Sequence, residues 1–233
     1  LTPRTIVRKM AMRDYNWMHI PEICALEVRY GVRSTFFFRV DESRYPFTPY
    51  LKRVIRDLDS AGWEIGLHAS IESAHSMGVL AQEKERLEDT VGHDVVGVRH
   101  HYLAWTRGTW GLQQEVGFKY DSTYGSTVRV IDDQPFRVGQ LVVFPLNFMD
   151  SAVFNSGFVP LATVIRMVDQ LMDSRGKDNR LITFDFHQDW LSSREERITY
   201  EHILRTAKAR RIWAGSLGDL LDRLGEVKDL SAR

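Results

Sequence analysis

The sequence predicts one barrel-like α/β domain of about seven mainly parallel strands. Short runs of β-branched and aromatic residues alternate with amphipathic segments along the whole chain, which is typical of a parallel sheet covered by helices. No linker-like segment and no internal repeat interrupts the alternation, and 233 residues suit one large α/β domain. We therefore expect a single domain over residues 1–233.

The first third of the chain has the clearest element boundaries. Residues 5–12 predict a first strand, and Asp14 follows at its end. Pro21 suits the first turn of a helix, and Gly31 suits its C-terminal cap. The elements predicted next are a strand over 32–38, a helix over 50–60 and a strand over 63–67 that ends at His68.

The same alternation continues to the C-terminus. The predicted helices are 82–90, 109–116, 161–173, 199–210 and 217–224. The predicted strands are 95–98, 118–120, 141–146, 181–186 and 211–214. We interpret the charges of the helix over 82–90 as a solvated face.

Composition excludes several functional classes. Lys plus Arg and Asp plus Glu are equal at 31 each, so no basic excess favours nucleic acid or an anionic membrane. Cys24 is the only cysteine, so no internal disulfide can form. No apolar run reaches the length of a membrane span, and the first residues lack the apolar core of a signal peptide. We expect a cytoplasmic protein.

Polar residues follow the predicted strands at the ends where an α/β barrel places its active site. Carboxylate and imidazole groups from several strands are suitable ligands for a divalent, zinc-type metal. A separate histidine could then act as general acid, and His187 is the candidate, with Asp185 or Asp189 available to orient it. The polar residues at the strand ends are Asp14, His68, Arg99, His100, His101, Asp121, His187 and Asp189.

Two of these residues also have simpler interpretations. Asp121 could belong only to a turn, and we interpret His100 as an exposed side chain.

Six segments in order cover nearly the whole chain and carry a family likeness. They are GVRSTFFF (31–38), WEIGLHAS (63–70), GVRHHYLAW (97–105), GFKYDSTYG (117–125), LITFDFHQDW (181–190) and IWAGSLGDLL (212–221). Together they resemble the polysaccharide deacetylases, a family of metal-dependent carbohydrate esterases, most of all the subgroup with Gly-Leu-His in its second motif. The resemblance implies a distorted (β/α) barrel.

The resemblance implies a role for each matching residue. Asp14 matches the metal-binding aspartate, and His68 matches the first metal-binding histidine. Arg99 matches the arginine that orients the catalytic base, and Tyr102 matches the tyrosine whose backbone N–H helps to bind the oxyanion. His187 matches the catalytic acid.

The chain departs from the family pattern at two places. The family usually has two aspartates after the first strand, one of them the catalytic base, whereas Met12 and Arg13 stand beside the matching aspartate here. Glu72 stands where the family has its second metal-binding histidine. The third ligand is then His101, Glu72 or His75, of which we favour His101. Glu72 could instead accept the proton of the metal-bound water.

Together these residues predict a hydrolase that removes an acetyl group from a sugar, by analogy in surface-polysaccharide (O-antigen-like) biosynthesis. The expected cofactor is a divalent metal, zinc first, with cobalt, nickel or iron as alternatives. The expected partner is an acetylated sugar, without nucleic acid. Met12 and Arg13 favour an alternative, an inactive barrel that binds a glycan or a partner enzyme. A third hypothesis is a hydrolase of cyclic amides.

Overall fold

The structure is a computed structural model that describes residues 19–41, 47–131, 133–154, 159–173, 181–188, 193–224 and 228–229. The predicted strand over 5–12 and three discussed residues, Asp14, Met12 and Arg13, lie outside the described residues, as does Asp189. Within the described residues the α/β class and the mainly parallel sheet are confirmed.

The described strands form two sheets. The larger sheet has the strand order β1-β2-β3-β4-β6-β5-β9, and the smaller one pairs β7 with β8 in parallel. The strands are β1 Thr35–Phe38, β2 Glu64–Ala69, β3 Gly97–His100, β4 Tyr120–Asp121, β5 Phe136–Val138, β6 Leu141–Val143, β7 Leu146–Met149, β8 Thr183–Asp185 and β9 Lys228–Asp229.

The helices are formed by the chain segments before and between these strands. Single-turn 3₁₀ helices occupy Glu72–Ala74 and His101–Leu103. The α-helices are α1 Ile20–Tyr30, α2 Pro49–Ser60, α3 Met77–Val91, α4 Arg107–Glu115, α5 Asp150–Phe154, α6 Leu161–Asp173, α7 Arg194–Ala209 and α8 Leu217–Arg223. Among the described residues, no helix is both long and apolar enough to cross a membrane.

The chain divides into two compact units, each built from separated segments. The first unit takes its described residues from 1–33, 126–134 and 146–215, and contains the sheet of β7 and β8. The second unit takes them from 34–125, 135–145 and 216–233, and contains the larger sheet. The expectation of a single domain stays a prediction.

The larger sheet of the second unit is parallel except at one hairpin. The pairs from β1 through β4 to β6 are parallel, whereas β5 returns antiparallel to β6. Helices α2, α3 and α4 connect its consecutive strands, as parallel neighbours require. The sequence did not predict β5, because a run of three residues is too short for its alternation to indicate a strand.

Glu64 attaches the last helix of the second unit to this sheet. Its carboxylate accepts a hydrogen bond from the Tyr120 hydroxyl (2.9 Å) and another from the backbone N–H of Gly218 (2.8 Å). The Thr35 hydroxyl also donates to Glu64. Burial, with the Glu64 charge and hydrogen bond, raises the pKa of Tyr120 well above its ordinary value, so this phenol stays protonated and donating.

The first unit has its own apolar core between the small sheet and helices α6 and α7. Asn147 completes the pairing there, where a register shift interrupts the ladder between β7 and β8. Its side-chain oxygen accepts from the Thr183 N–H (2.8 Å), and its nitrogen donates to the carbonyl oxygens of Ile131 and Asp133. The buried residues of the core are Phe148, Val153, Val164, Val168, Met172, Ile203 and Ala207.

Most predicted helices agree with the structure because their ends carry caps. Gly31 and Gly92 both adopt left-handed conformations at helix C-termini, and Pro49 begins α2 after the Thr48 cap. The helix over 161–173 is confirmed in full.

Three predictions about the elements are wrong. Residues 211–214 form no strand. The predicted strand over 141–146 is divided into β6 and the beginning of β7, because Pro145 has no N–H to donate to a neighbouring strand. The charges of α3 are not all solvated. Glu83 and Lys84 are buried, and Lys84 donates to Glu88 (2.5 Å) and Asp94 (2.6 Å).

A glycine on β3 should be sensitive to substitution. A Cβ atom at Gly97 would overlap the Tyr120 phenol, which is buried and held by Glu64. We expect Gly97→Ala to lower the free energy of unfolding by about 1–3 kcal/mol, as overpacking does. Gly111→Ala is the matched control, since its Cβ meets nothing within 4 Å on helix α4 and should stabilise by about 0.5–1 kcal/mol. Urea unfolding measures both, and equal effects of the two variants would contradict the packing argument.

Candidate functional site

His68 is placed by the parallel pairing of β2 with β3. The ladder sets Leu67 beside Val98, His68 beside Arg99 and Ala69 beside His100. Because side chains alternate along a strand, His68 and Arg99 share one face of the sheet and His100 lies on the other. His68 therefore points to the opposite face from the buried Leu67.

His68 and His101, here called the histidine pair, bring two ring nitrogens together. His68 Nε2 lies 3.1 Å from His101 Nδ1, with the rings nearly perpendicular. His68 Nδ1 lies 3.0 Å from the carbonyl oxygen of Arg99, which can only accept, so Nδ1 carries the hydrogen. His68 Nε2 therefore directs a lone pair toward His101.

The geometry of the histidine pair fits two ligands of one divalent metal ion. Two nitrogens that bind zinc at about 2.0–2.1 Å in tetrahedral geometry lie roughly 3.3 Å apart, close to the separation observed. The carbonyl of Arg99 fixes the ring of His68, as metal-binding histidines usually require. Within the described ranges no cluster of three His, Cys, Asp or Glu side chains could hold a metal ion, and Asp14 lies outside them.

The other two candidates for the third ligand lie on the turn after β2. Glu72 begins the short 3₁₀ helix there and His75 follows its last residue, and both side chains are exposed. Among the described residues, neither forms a three-ligand cluster with the histidine pair. The structure thus brings His101 to His68, whereas it does not bring Glu72 or His75 there.

Arg99 is buried and held on two sides. Its guanidinium lies over the Phe37 ring, 4.4 Å from the centroid. Nε donates to the Ser122 carbonyl oxygen (3.1 Å), and a terminal nitrogen donates to the Ser122 hydroxyl (3.0 Å). A planar guanidinium fixed in this way presents a rigid positive charge on the same face as His68.

Tyr102 stands on a strained turn beside the histidine pair. Both Tyr102 and Leu103 adopt left-handed backbone conformations, with φ of 56° and 53°. Such conformations cost non-glycine residues free energy and concentrate at functional sites. The Tyr102 side chain is 67% exposed, and its ring centroid lies 4.1 Å from that of His101.

The opposite face of the strand ends holds a polar cluster that the sequence did not predict. His100, interpreted above as exposed, is fully buried, because this face packs under helices α3 and α4. Asp121 is not only a turn residue, since it is also buried and accepts hydrogen bonds from Gln113 (2.9 Å), Trp110 (3.3 Å) and Thr123. Burial lowers the pKa of His100, which favours the neutral ring.

His187 forms a second candidate group, in the first unit, together with Asp150. Strands β7 and β8 pair up to Met149 and Asp185, and Asp150 and His187 follow at the same end of this sheet. His187 Nδ1 donates to one carboxylate oxygen of Asp150 (2.7 Å), and its backbone N–H donates to the other (2.6 Å). Asp150 is fully buried, whereas the His187 side chain is 38% exposed.

Asp150 is the carboxylate that sequence reasoning missed. Asp185 or Asp189 was expected to orient His187, and Asp189 lies outside the described residues. The rule of polar residues at strand ends would have selected Asp150, but the predicted strand stopped at residue 146. Burial raises the pKa of Asp150, the Asp185 charge raises it further, and the hydrogen bond from His187 opposes both.

Comparison with known proteins identifies the fold. No family model matches the chain, and no curated protein matches its sequence. A "putative polysaccharide deacetylase" from Mycobacterium smegmatis is 19% identical, with a TM-score of 0.70 over 88% of this chain and 76% of that one.

Two further solved structures are similar. Puue allantoinase is 18% identical, with a TM-score of 0.66 over 93% of this chain and 74% of its own. A probable polysaccharide deacetylase from Pseudomonas aeruginosa PAO1 is also 18% identical, with a TM-score of 0.64 over 85% and 69%. The fold is therefore similar to that of the polysaccharide deacetylases and of an allantoinase, as the motifs predicted.

The raised pKa of Asp150 predicts a pH-dependent stability. The folded protein keeps this proton at pH values where the unfolded chain, with a carboxyl pKa of about 3.9, has released it. The stabilisation is complete below the unfolded pKa and is lost as the pH rises through the folded pKa. Wild-type free energy of unfolding should therefore fall relative to that of Asp150→Asn over this range. Urea unfolding from about pH 3.5 to 7 measures the difference, and a pH-independent difference would contradict the argument.

Proposed function

We propose that this protein is a metal-dependent hydrolase that removes an acetyl group from a sugar. The observation that carries the proposal is the histidine pair, whose nitrogens face each other at 3.1 Å beside the buried Arg99. The fold is similar to that of polysaccharide deacetylases, which supports an acetylated carbohydrate as the substrate class. A cytoplasmic location and a role in surface-polysaccharide biosynthesis belong to the same proposal.

The proposed metal ligands are the histidine pair and Asp14. Zinc suits two imidazole nitrogens and a carboxylate oxygen, and cobalt, nickel or iron accept the same donors. When bound, such a metal supplies a Lewis acid for the acetyl carbonyl and lowers the pKa of its bound water. The Arg99 carbonyl already sets the tautomer of His68, so Nε2 is the nitrogen that would bind the metal.

We assign His187 as the general acid and Asp150 as the residue that positions it. The Asp150 carboxylate holds Nδ1 of His187 and stabilises the protonated ring. Nε2 can then give its proton to the departing amine or alkoxide oxygen of the sugar. The Asp150 carboxylate is fully buried and accepts from both Nδ1 and the backbone N–H of His187, which fixes the orientation of the ring.

Arg99 and Tyr102 are proposed to stabilise the charge that develops on the carbonyl oxygen. Arg99 supplies a fixed positive charge, and the strained turn sets the direction of the Tyr102 backbone N–H. Glu72, the base expected from the sequence, has an exposed side chain that the structure does not bring to the histidine pair, so the proposed mechanism assigns it no proton.

Two other functions have specific support. Met12 and Arg13 stand beside Asp14, where the family usually has its second aspartate, the catalytic base, and this favours an inactive barrel that binds a glycan or a partner enzyme. The similarity to an allantoinase favours hydrolysis of a cyclic amide. Acetate release distinguishes the deacetylase, ring opening distinguishes the cyclic amidase, and the inactive barrel produces neither.

The first test is the metal content of the purified protein. We expect about one metal ion per chain after incubation with Zn²⁺, and a loss of this metal in His68→Ala and in His101→Ala, because each removes one nitrogen of the pair. His93→Ala is the matched control, since His93 forms a surface pair with Asp59. Elemental analysis after desalting gives the result. A folded wild type that takes up no Zn²⁺ would overturn the metal-dependent mechanism.

The general acid is tested by the nature of the leaving group. We expect His187→Ala to lower kcat by about 10²–10⁴-fold on an acetamido sugar, whose amine must be protonated as it leaves. Hydrolysis of 4-nitrophenyl acetate should fall far less, because nitrophenolate leaves without a proton. Unchanged metal content confirms that the variant is intact. An equal loss on both substrates would show that His187 has another role.

A further inference from the structure

The ends of β2 and β3 remain joined beyond the last pair of their ladder. That last pair is Ala69 with His100, after which β2 turns into the 3₁₀ helix and β3 into the strained turn. The histidine pair stands at this point, since His68 is next to Ala69 and His101 is next to His100. The separation of its two nitrogens therefore depends on what holds the strand ends together.

Side chains on the opposite face hold both backbone groups of Ser70. The Ser70 carbonyl oxygen accepts from His100 Nδ1 (3.1 Å) and from the Ser73 hydroxyl (2.8 Å). The Ser70 N–H donates to the carboxylate of Glu83 on helix α3 (3.0 Å). His100 thus provides the next connection between the strands, from a side chain instead of a backbone group.

The His100 backbone is in turn held from β4. Its N–H donates to the Thr123 hydroxyl (3.0 Å), and that hydroxyl donates to the Asp121 carboxylate. Gln113 on helix α4 donates to the same carboxylate. Ser70, Glu83, His100, Asp121 and Thr123, here called the buried network, are all at most 9% exposed.

We propose that His100 and Glu83 are positioning residues that set the separation of the two metal-binding nitrogens of His68 and His101. This inference rests on the proposed function, because it assigns a purpose to the buried network only if the histidine pair binds metal. His68 is also tied to β3 through the Arg99 carbonyl, so a shift of the β2 end would disturb both its tautomer and its distance from His101.

The contact between His100 Nδ1 and the Ser70 carbonyl oxygen can be tested with two variants of His100. The Ser70 carbonyl can only accept, so His100 Nδ1 carries the hydrogen. The side-chain nitrogen of asparagine lies near the position of histidine Nδ1, whereas that of glutamine lies near Nε2. His100→Asn can keep the bond to Ser70, and His100→Gln should lose it, although both remove the ring.

The experiment compares Zn²⁺ affinity with stability in the full chain. Zn²⁺ affinity is measured by competition with a chromophoric chelator, and Tm is measured on the metal-free protein. We expect both variants to lower Tm, His100→Asn to bind Zn²⁺ within about 3-fold of wild type, and His100→Gln to bind on the order of 10-fold or more weakly. If the buried network serves only stability, both variants will have a lower Tm but will bind Zn²⁺ as tightly as wild type. That result would overturn the inference.

Two further measurements, on the wild type and on a Ser73 variant, separate the possible outcomes. A wild type that binds no Zn²⁺ overturns the proposed function and this inference together, whereas a wild type and a His100→Gln variant of equal affinity overturn the inference alone. If His100→Gln does not fold, Ser73→Ala removes the other donor to the Ser70 carbonyl with a smaller change of volume. We expect it to weaken Zn²⁺ binding several-fold, and unchanged binding there would also contradict the positioning role.

Discussion

The parallel pairing of β2 with β3 is the constraint on which the candidate metal site depends. Its register sets His68 beside Arg99 on one face and Ala69 beside His100 on the other. A shift of β2 by one residue would exchange its faces, moving His68 under the helices and away from Arg99 and His101. One ladder thus decides both which side chains can meet a substrate and which side chains hold them.

Three histidines have their protons assigned by partners that can only accept. Nδ1 of His68 faces the Arg99 carbonyl, Nδ1 of His100 faces the Ser70 carbonyl, and Nδ1 of His187 faces the Asp150 carboxylate. A neutral carbonyl partner leaves a lone pair on Nε2, which suits a metal ligand. A carboxylate partner also stabilises the charged ring, which suits an acid. For His68 and His187, the proposed chemical role therefore follows from the kind of oxygen beside the ring.

The polar groups under the strand ends are costly for the fold. Glu83, His100 and Gln113 each have one buried side-chain atom with no hydrogen-bond partner among the described residues. Buried polar atoms without partners cost free energy, and an apolar interface between sheet and helices would avoid that cost. A cluster of this kind behind the histidine pair is better explained by the requirements of a site than by those of stability.

The sequence by itself determined the α/β class and most helix boundaries, because alternation and caps are local features that neighbouring residues decide. Gly31 and Gly92 show this for two helices. It also selected His68, His101 and His187, through polar residues at strand ends and through motif resemblance.

Only the tertiary structure decided their partners. His101 lies 33 residues from His68, and Asp150 lies 37 residues from His187. His100 and Arg99 are both buried, but strand alternation places His100 on the face that helices α3 and α4 cover and Arg99 on the face of His68. Such choices depend on long-range packing, which no local pattern encodes.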